Sequence, residues 1–527
     1  MSKELTFDGL IAARRLRTET RPVFVTEDGQ EMTPDAFEVT IGRAAAWLRA
    51  QGIGAGDRVA IWLPNCTAWI ALLFGAARIG AIVAAVNTRY RTAELQHILA
   101  SSGARLLIFG GPDRHADFRA MTAALDFSSL PELTALATPD ARDLSPVQGL
   151  GVAQCCYEGL APLPAGPATP SDPVLLFTTS GTTSKPKLVV HTQASMTRHA
   201  LNCARAYGFD AAGARYLAAM PFCGVFGLNP TFAALAGGAP IHVMPTFSVA
   251  PALAITRAAP ITHFFGSDEM FRLLWQTDPG ALSQARLCGF ASFTPGLGAI
   301  LREMAEAGLP LAGVYGASEV NAIFAVQPTD ALIEHRLQGG GRPSAPAAEI
   351  RVRDVETGAL CAAGESGVIE IRAATNFSGY FRNPAATAKA IDAEGFFHTG
   401  DVGYLRGDGT FAYLARNGDF IRLSGFLTDP AEIEEVIEEA RGVAKAQVVG
   451  VAHEGRTCPV AFILPEPGIT PDEAAILAHT AARLAHYKVP ARVITVAKFP
   501  TTESANGLKI QKTRLRDMAE AFLTEQR

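Results

Sequence analysis

Residues 178–187 read TTSGTTSKPK. They follow an apolar run, Val174-Leu175-Leu176-Phe177, and crowd hydroxyls, a glycine and two lysines into one short stretch. Polyphosphates are held by that combination: backbone N–H groups brought close by Gly, hydroxyl donors, and Lys as a point charge. The spacing is not that of a P-loop, which needs Gly-x4-Gly-Lys-Ser/Thr. Pro186 pushes Lys185 toward extended geometry, so no helix starts at once. The residue types leave two readings, a loop between strands that closes over a polyphosphate and a polar surface turn.

The elements around this loop alternate. Residues 57–63 and 104–109 are strand-like, closed by Pro64-Asn65 and Gly110-Gly111, and Ala/Leu-rich amphipathic stretches lie between such runs. That order predicts α/β layers with mainly parallel sheets. Residues 161–173 hold five prolines and are expected to be irregular and exposed. Residues 401–414 read as a hairpin around Asp408-Gly409. Past about 417 the texture changes to a small α+β unit of about 110 residues, with helices from Pro430 and after Thr470-Pro471-Asp472-Glu473 and strands near 446–451 and 460–464. The expectation is a large multi-subdomain N-terminal domain, 1–417, with mainly parallel sheets and a small β region, and a small mobile α+β C-terminal domain, 418–527.

Composition narrows the function classes. A chain of 527 residues, 48% hydrophobic, can bury large cores. A net charge of −5 with no like-charge run argues against nucleic acid as a partner. The longest apolar run, residues 69–86, carries Arg78, Gly75 and Gly80. It reads as a buried helix and a strand rather than an integral membrane segment. The N-terminus lacks a secretory pattern, and the eight scattered cysteines show no ligand spacing, so reduced thiols in a cytoplasmic enzyme are expected.

With four further motifs added, the loop strongly resembles the phosphate-binding loop of the adenylate-forming superfamily, which includes acyl-CoA synthetases, luciferases and adenylation domains. Tyr315-Gly316-Ala317-Ser318-Glu319 is similar to the family's YGxTE, and Phe397-His398-Thr399-Gly400-Asp401 to its W-x-x-TGD. Residues 416–434, RNGDFIRLSGFLTDPAEIE, resemble the hinge and the start of the small domain. Residues 506–512, NGLKIQK, resemble the C-terminal lysine motif. The early stretches 56–65 and 87–90 are family-like as well. The motifs stand in the family's order over nearly the whole chain.

The resemblance implies an ATP-dependent acyl-CoA synthetase. A carboxylate attacks the α-phosphate of ATP to give acyl-AMP and pyrophosphate, and the thiol of coenzyme A then displaces AMP. It assigns the β- and γ-phosphates to Thr178, Thr179, Ser180, Gly181, Thr182, Thr183, Ser184, Lys185 and Lys187. Mg²⁺ goes to Glu319 and the α-phosphate to Ser318. The remaining nucleotide contacts fall to Tyr315, Gly316, Asp401 (both ribose hydroxyls) and Arg416. Lys509 would bridge the substrate carboxylate and the α-phosphate. Gly418 would be the hinge that swaps Lys509 for the face at Ser424-Gly425-Phe426 when the thioester forms. Adenine would stack near Phe293 and Gly296, and His398 would sit near the nucleotide. Taken singly these residues have plainer readings: Asp401 as a turn starter, Glu319 as a surface carboxylate, Lys509 in a basic tail with Lys512, Arg514 and Arg516. Their ordered set carries the assignment.

One departure bears on substrate. Residues 220–227, MPFCGVFG, match the family's PxFHxxG except that Gly224 replaces the His, which enlarges the acyl pocket or changes how it closes. Ala415 also replaces the Gly before Arg416. By alignment the acyl pocket includes Val225, Phe226, Phe265, Val314, Gly316, Asn321 and Ala322. With no Lys or Arg among them, the expected partner is a small-molecule hydrophobic monocarboxylic acid, fatty, alicyclic or aromatic. Rival readings are the same adenylation with a carrier-protein thiol or an amine as acceptor, a nucleotide-binding regulator without catalysis, and a luciferase-like oxygenase. Either a monomer or a homo-oligomer is compatible with the sequence.

Overall fold

A computed structural model describes residues 5–17, 21–111, 117–142, 144–179, 186–292, 297–354, 357–416, 421–424, 426–428, 430–453, 455–504, 507–510 and 512–525. Two large sheets organise the N-terminal body. Among the described residues the first has eight strands, and its centre, Pro173–Thr179, Ile82–Ala85, Arg58–Trp62 and Ala104–Phe109, is parallel. Such strands are covered on both faces, which is why they read as continuous apolar runs rather than alternating ones. The apolar run at 69–86 divides as its Arg and Gly residues predict. Helix Thr67–Arg78 is buried, Gly80 turns the chain at φ +77°, and strand Ile82–Ala85 follows. Arg78 is tolerated inside because Asp8 and Glu38 accept from its guanidinium at 2.7 and 2.8 Å.

The second sheet has thirteen strands among the described residues. Tyr216–Ala218, His263–Ser267, Leu287–Ala291 and Leu311–Ala317 run parallel. From Asn321–Val326 onward its pairing is antiparallel and includes the Phe397–Leu405 and Phe411–Arg416 hairpin predicted around Asp408-Gly409, with Glu349–Arg353 at the edge. The large body is therefore mixed α/β, with parallel sheets and an antiparallel β region.

After residue 420 the chain builds a smaller α+β unit with its own core. Helix Pro430–Glu438 packs on the hairpin Val443–His453 and Arg456–Pro465, with Arg492–Thr495 added in parallel. Asp472 caps helix Glu473–Ala481 by accepting from the Ala474 and Ala475 amides. Among the described residues no helix is long and apolar enough to cross a membrane.

Candidate active site

Parallel strands deliver side chains to one place, the crevice beyond their carboxyl ends. Thr178, Ser267, Ala291 and residues 313–319 all reach such ends, and all line one cleft of about 1710 Å³. The small unit closes it with Ser424 and residues 456–459 and 489–491. That volume exceeds the several hundred Å³ of an ordinary ligand pocket and suits more than one substrate at a time.

On the polar wall, the Tyr315 hydroxyl donates to Asp401 Oδ2 at 2.6 Å in a buried contact. The Asp401 amide donates to Thr399 Oγ1, which itself donates to the Ile369 carbonyl. A carboxylate oriented this way presents acceptor capacity to a ligand. Gly316 stands beside Tyr315 because a Cβ there would lie 2.5 Å from Ala322 Cα. A register shift between Tyr315 and Ala317 re-aims the segment that follows.

Ser318 and Glu319 lie in that segment, and buried groups from other elements hold it. His191 Nε2 donates to the Ser318 carbonyl at 2.7 Å, and His199 Nε2 to the Ala322 carbonyl at 2.8 Å. Burial pushes both imidazoles down to about 4, which keeps them neutral donors. Asn321 and Ile323 have φ of +68° and +51°, an unusual backbone for a β-branched residue. The Asn229 amide accepts from the Ala322 N–H at 2.7 Å and donates to Asn321 Oδ1 at 3.2 Å, bracing this turn. Glu319 is buried, lines the cleft, and accepts from the Tyr380 hydroxyl at 2.9 Å. Lys187 Nζ sits 4.7 Å from the centre of the same Tyr380 ring. Opposite, the Tyr90 hydroxyl donates to Thr178 Oγ1 at 3.1 Å.

The other wall is apolar. Val225, Phe226, Val314 and Ala322 line it with Met220, Phe247, Met270 and Phe290. Gly224 begins helix Val225–Gly237, and a Cβ placed there would meet only the Pro221 carbonyl at 3.7 Å, an ordinary contact. Space for a side chain is therefore open at that position.

The structure thus gathers Thr178, Lys187, Tyr315, Gly316, Ser318, Glu319, Asp401, Val225, Phe226, Val314, Ala322 and Ser424 around one cleft. Phe265 and Asn321 are placed behind its wall instead. Phe265 is fully buried and stacked on Phe209, and Asn321 spends its amide on the Thr375 carbonyl and Asn229. Thr179, Arg416 and Lys509 are described through their backbone: Thr179 ends its strand, Arg416 pairs with Asp401, and Lys509 pairs with Thr502 in the hairpin to Gly507–Ile510. Ser180, Gly181, Thr182, Thr183, Ser184, Lys185, Gly418, Gly425, Phe293 and Gly296 lie outside the described residues. His398 lines the cleft with Nδ1 at 2.7 Å from Glu370 Oε1. Sequence reasoning missed Tyr380, His191 and Asn229, which stand far along the chain from the groups they touch and carry no spacing signal.

Among the described residues no cluster of three or more His, Cys, Asp or Glu side chains could hold a metal ion unaided. One cleft carboxylate, Glu319, fits a hard cation that takes most of its ligands from phosphate oxygens and water.

The pattern of the AMP-binding enzymes matches residues 12–381, and that of the AMP-binding enzyme C-terminal domain matches residues 432–506. The chain belongs to the AMP-binding enzymes, the adenylate-forming superfamily. It is 30% identical to the sulfoacetate–CoA ligase of Cupriavidus necator over 97% of each chain. It is 31% identical to a methyl-dioxo-octahydroindenyl-propanoyl:CoA ligase of Mycobacterium tuberculosis, over 94% of this chain and 95% of that one. A double mutant of o-succinylbenzoate CoA synthetase from Bacillus subtilis, bound to a product analogue, shares the fold. Its TM-score is 0.81 at 24% identity, covering 96% of this chain and 98% of that one. As a family member the protein is an ATP-dependent acid–thiol ligase that uses ATP and coenzyme A on a carboxylic acid.

Proposed function

We propose that the protein activates a hydrophobic monocarboxylic acid, with an alicyclic or aromatic ring or a fatty chain, through acyl-AMP and then forms its coenzyme A thioester in the cytoplasm. One observation carries this reading: Asp401–Tyr315, Glu319–Tyr380 and the Thr178 stem meet an apolar compartment in a single cleft. A carboxylate oxygen attacks the α-phosphorus and pyrophosphate leaves with the α–β bridging oxygen. The thiolate sulfur then attacks the acyl carbon and AMP leaves with the carboxyl oxygen. Bringing two anions together needs positive charge and orientation more than acid–base chemistry.

Roles follow for the chain's own residues. Asp401 accepts from the ribose hydroxyls while Tyr315 fixes its carboxylate, with Gly316 giving close backbone approach and Arg416 assisting. Thr178 to Lys185 and Lys187 hold the outer phosphates. Ser318 donates to the α-phosphate, and Glu319 holds Mg²⁺, whose chemistry here is charge neutralisation on the phosphates. Lys509 orients the carboxylate against the α-phosphate. The boundary falls at 417/418 with Gly418 as hinge, and Ser424-Gly425 serves the thiol step. Val225, Phe226, Val314 and Ala322 hold the acyl group. Its ring takes the space left at Gly224, a reading in keeping with the bicyclic acid named for the Mycobacterium tuberculosis relative.

The test incubates protein with Mg-ATP and a panel of acids, with and without coenzyme A, and follows acyl-AMP, AMP and acyl-CoA by mass spectrometry. The panel includes acids with a second anionic group. Acyl-CoA from a hydrophobic acid, formed only with coenzyme A, is expected. Lys509→Ala should lower acyl-AMP formation about 100-fold or more, while thioester formation from supplied acyl-AMP persists. Turnover confined to doubly anionic acids would overturn the acyl assignment. Acyl-AMP that ignores coenzyme A would point to a carrier thiol or an amine.

A further inference from the structure

Lys488 is almost fully buried, and Glu94 and Glu432 accept from its Nζ at 2.8 and 2.7 Å. The partners come from different parts of the molecule. Glu432 lies on helix Pro430–Glu438 and Lys488 ends the turn His486–Lys488, both in the small unit. Glu94 lies on helix Thr92–Ser102 of the large body, where its other oxygen accepts from the Arg91 amide at 3.0 Å and caps the helix. The ammonium also sits 5.4 Å from the centre of the Tyr90 ring, and the Tyr90 hydroxyl bonds Thr178. One cation thus joins the small unit to the stem of the phosphate-binding stretch.

We propose that Lys488 is a positioning residue that docks the small unit on the large body through Glu94 and so holds the cleft in the arrangement used for thioester formation. The proposal rests on the two-step reading above, because Ser424, on the face assigned to the thiol step, lines the cleft in this docked state.

The chemistry of the contact suits a joint that must open. An apolar seam between the units would hold them together permanently. A buried ion pair gains little over its solvated partners, because desolvation offsets most of the attraction, yet removing one partner leaves a stranded charge. Geometry is therefore strongly specified at modest net stability. Lys488–Glu432 remains paired within the small unit when Glu94 leaves, so the unit travels with its charge balanced. Burial works against the ammonium, but the surrounding acidic groups, Tyr487 and the two glutamates foremost, raise Lys488 well above the ordinary lysine value. The joint therefore stays charged and opens by separation of the units, not by proton loss.

Glu94→Gln and Lys488→Met test the inference, with the two steps measured apart. Acyl-AMP formation is read as pyrophosphate released without coenzyme A, and thioester formation from supplied acyl-AMP and coenzyme A. The expected result is acyl-AMP formation within about threefold of the native protein and thioester formation lowered about 30-fold. Lys488→Arg should recover part of the second step. Glu94→Gln keeps the small unit's own Lys488–Glu432 pair and guards against loss of folding. Equal slowing of both steps, or no change in either, overturns the proposal. Amide exchange of the resting protein gives a readout independent of any acid. Protection at 486–491 should fall in Glu94→Gln while Val443–His453 and Arg456–Pro465 stay protected. Unchanged protection at 486–491 overturns the docking role whether or not the proposed activity is found.

Discussion

Consider the protein moved from pH 7 to pH 5. His191, His199, His242 and His263 are buried in the large body, and burial pushes each imidazole down to about 4 from the ordinary 6.5. Between those values the unfolded chain binds protons that the folded chain excludes, so stability falls as pH falls through this window. A difference of that size corresponds to about 3 kcal/mol per histidine once the window is crossed, and about 2 kcal/mol of it is lost by pH 5. Four such groups withdraw about 8 kcal/mol, comparable with the whole stability of a typical domain, about 5–15 kcal/mol. The loss also strikes the candidate site, because His191 and His199 hold the carbonyls of Ser318 and Ala322. Denaturant unfolding of the first transition at pH 7, 6 and 5 checks this, with ligase activity followed in parallel. The midpoint should fall steeply, and His191→Gln should flatten the slope by about 1 kcal/mol per pH unit. A midpoint constant from pH 7 to 5, or an unchanged slope in His191→Gln, would refute the reasoning.

Two further outcomes test the cleft itself. Tyr315→Phe removes the 2.6 Å bond to Asp401, and a bond to a charged group is worth about 1.5–3 kcal/mol. The KM for ATP should rise about 10-fold or more with kcat changed much less, and an unchanged KM would separate Asp401 from nucleotide binding. Gly224→Phe places a ring in open space without disturbing the helix start. It should leave the melting temperature within about 2 °C and lower kcat/KM for ring-bearing acids about 100-fold while sparing short ones. Equal loss for both acid classes would remove Gly224 from the acyl compartment.

The sequence was most legible where function is carried by contiguous residues. Tyr315 to Glu319 and Phe397 to Asp401 are contiguous runs that line the cleft, so residue types and order suffice to pick them out. Helix and strand positions were legible for the same local reason: the run at 69–86 announces its break through Arg78 and Gly80. Legibility failed for Phe265 and Asn321. A strand sends successive side chains to opposite faces, and the irregularity after Tyr315 re-aims the next residues. Alignment to a pocket therefore cannot tell a lining side chain from one just behind it.

By itself, then, the order of residues determined the family and with it the class of chemistry, because short contiguous motifs carry that resemblance. Only the tertiary structure decided which distant groups support them. Tyr380 reaches Glu319 across 61 positions and Lys488 reaches Glu94 across 394. Buried charges and hydroxyls find partners through packing of whole layers, and no local pattern in the chain encodes that distance.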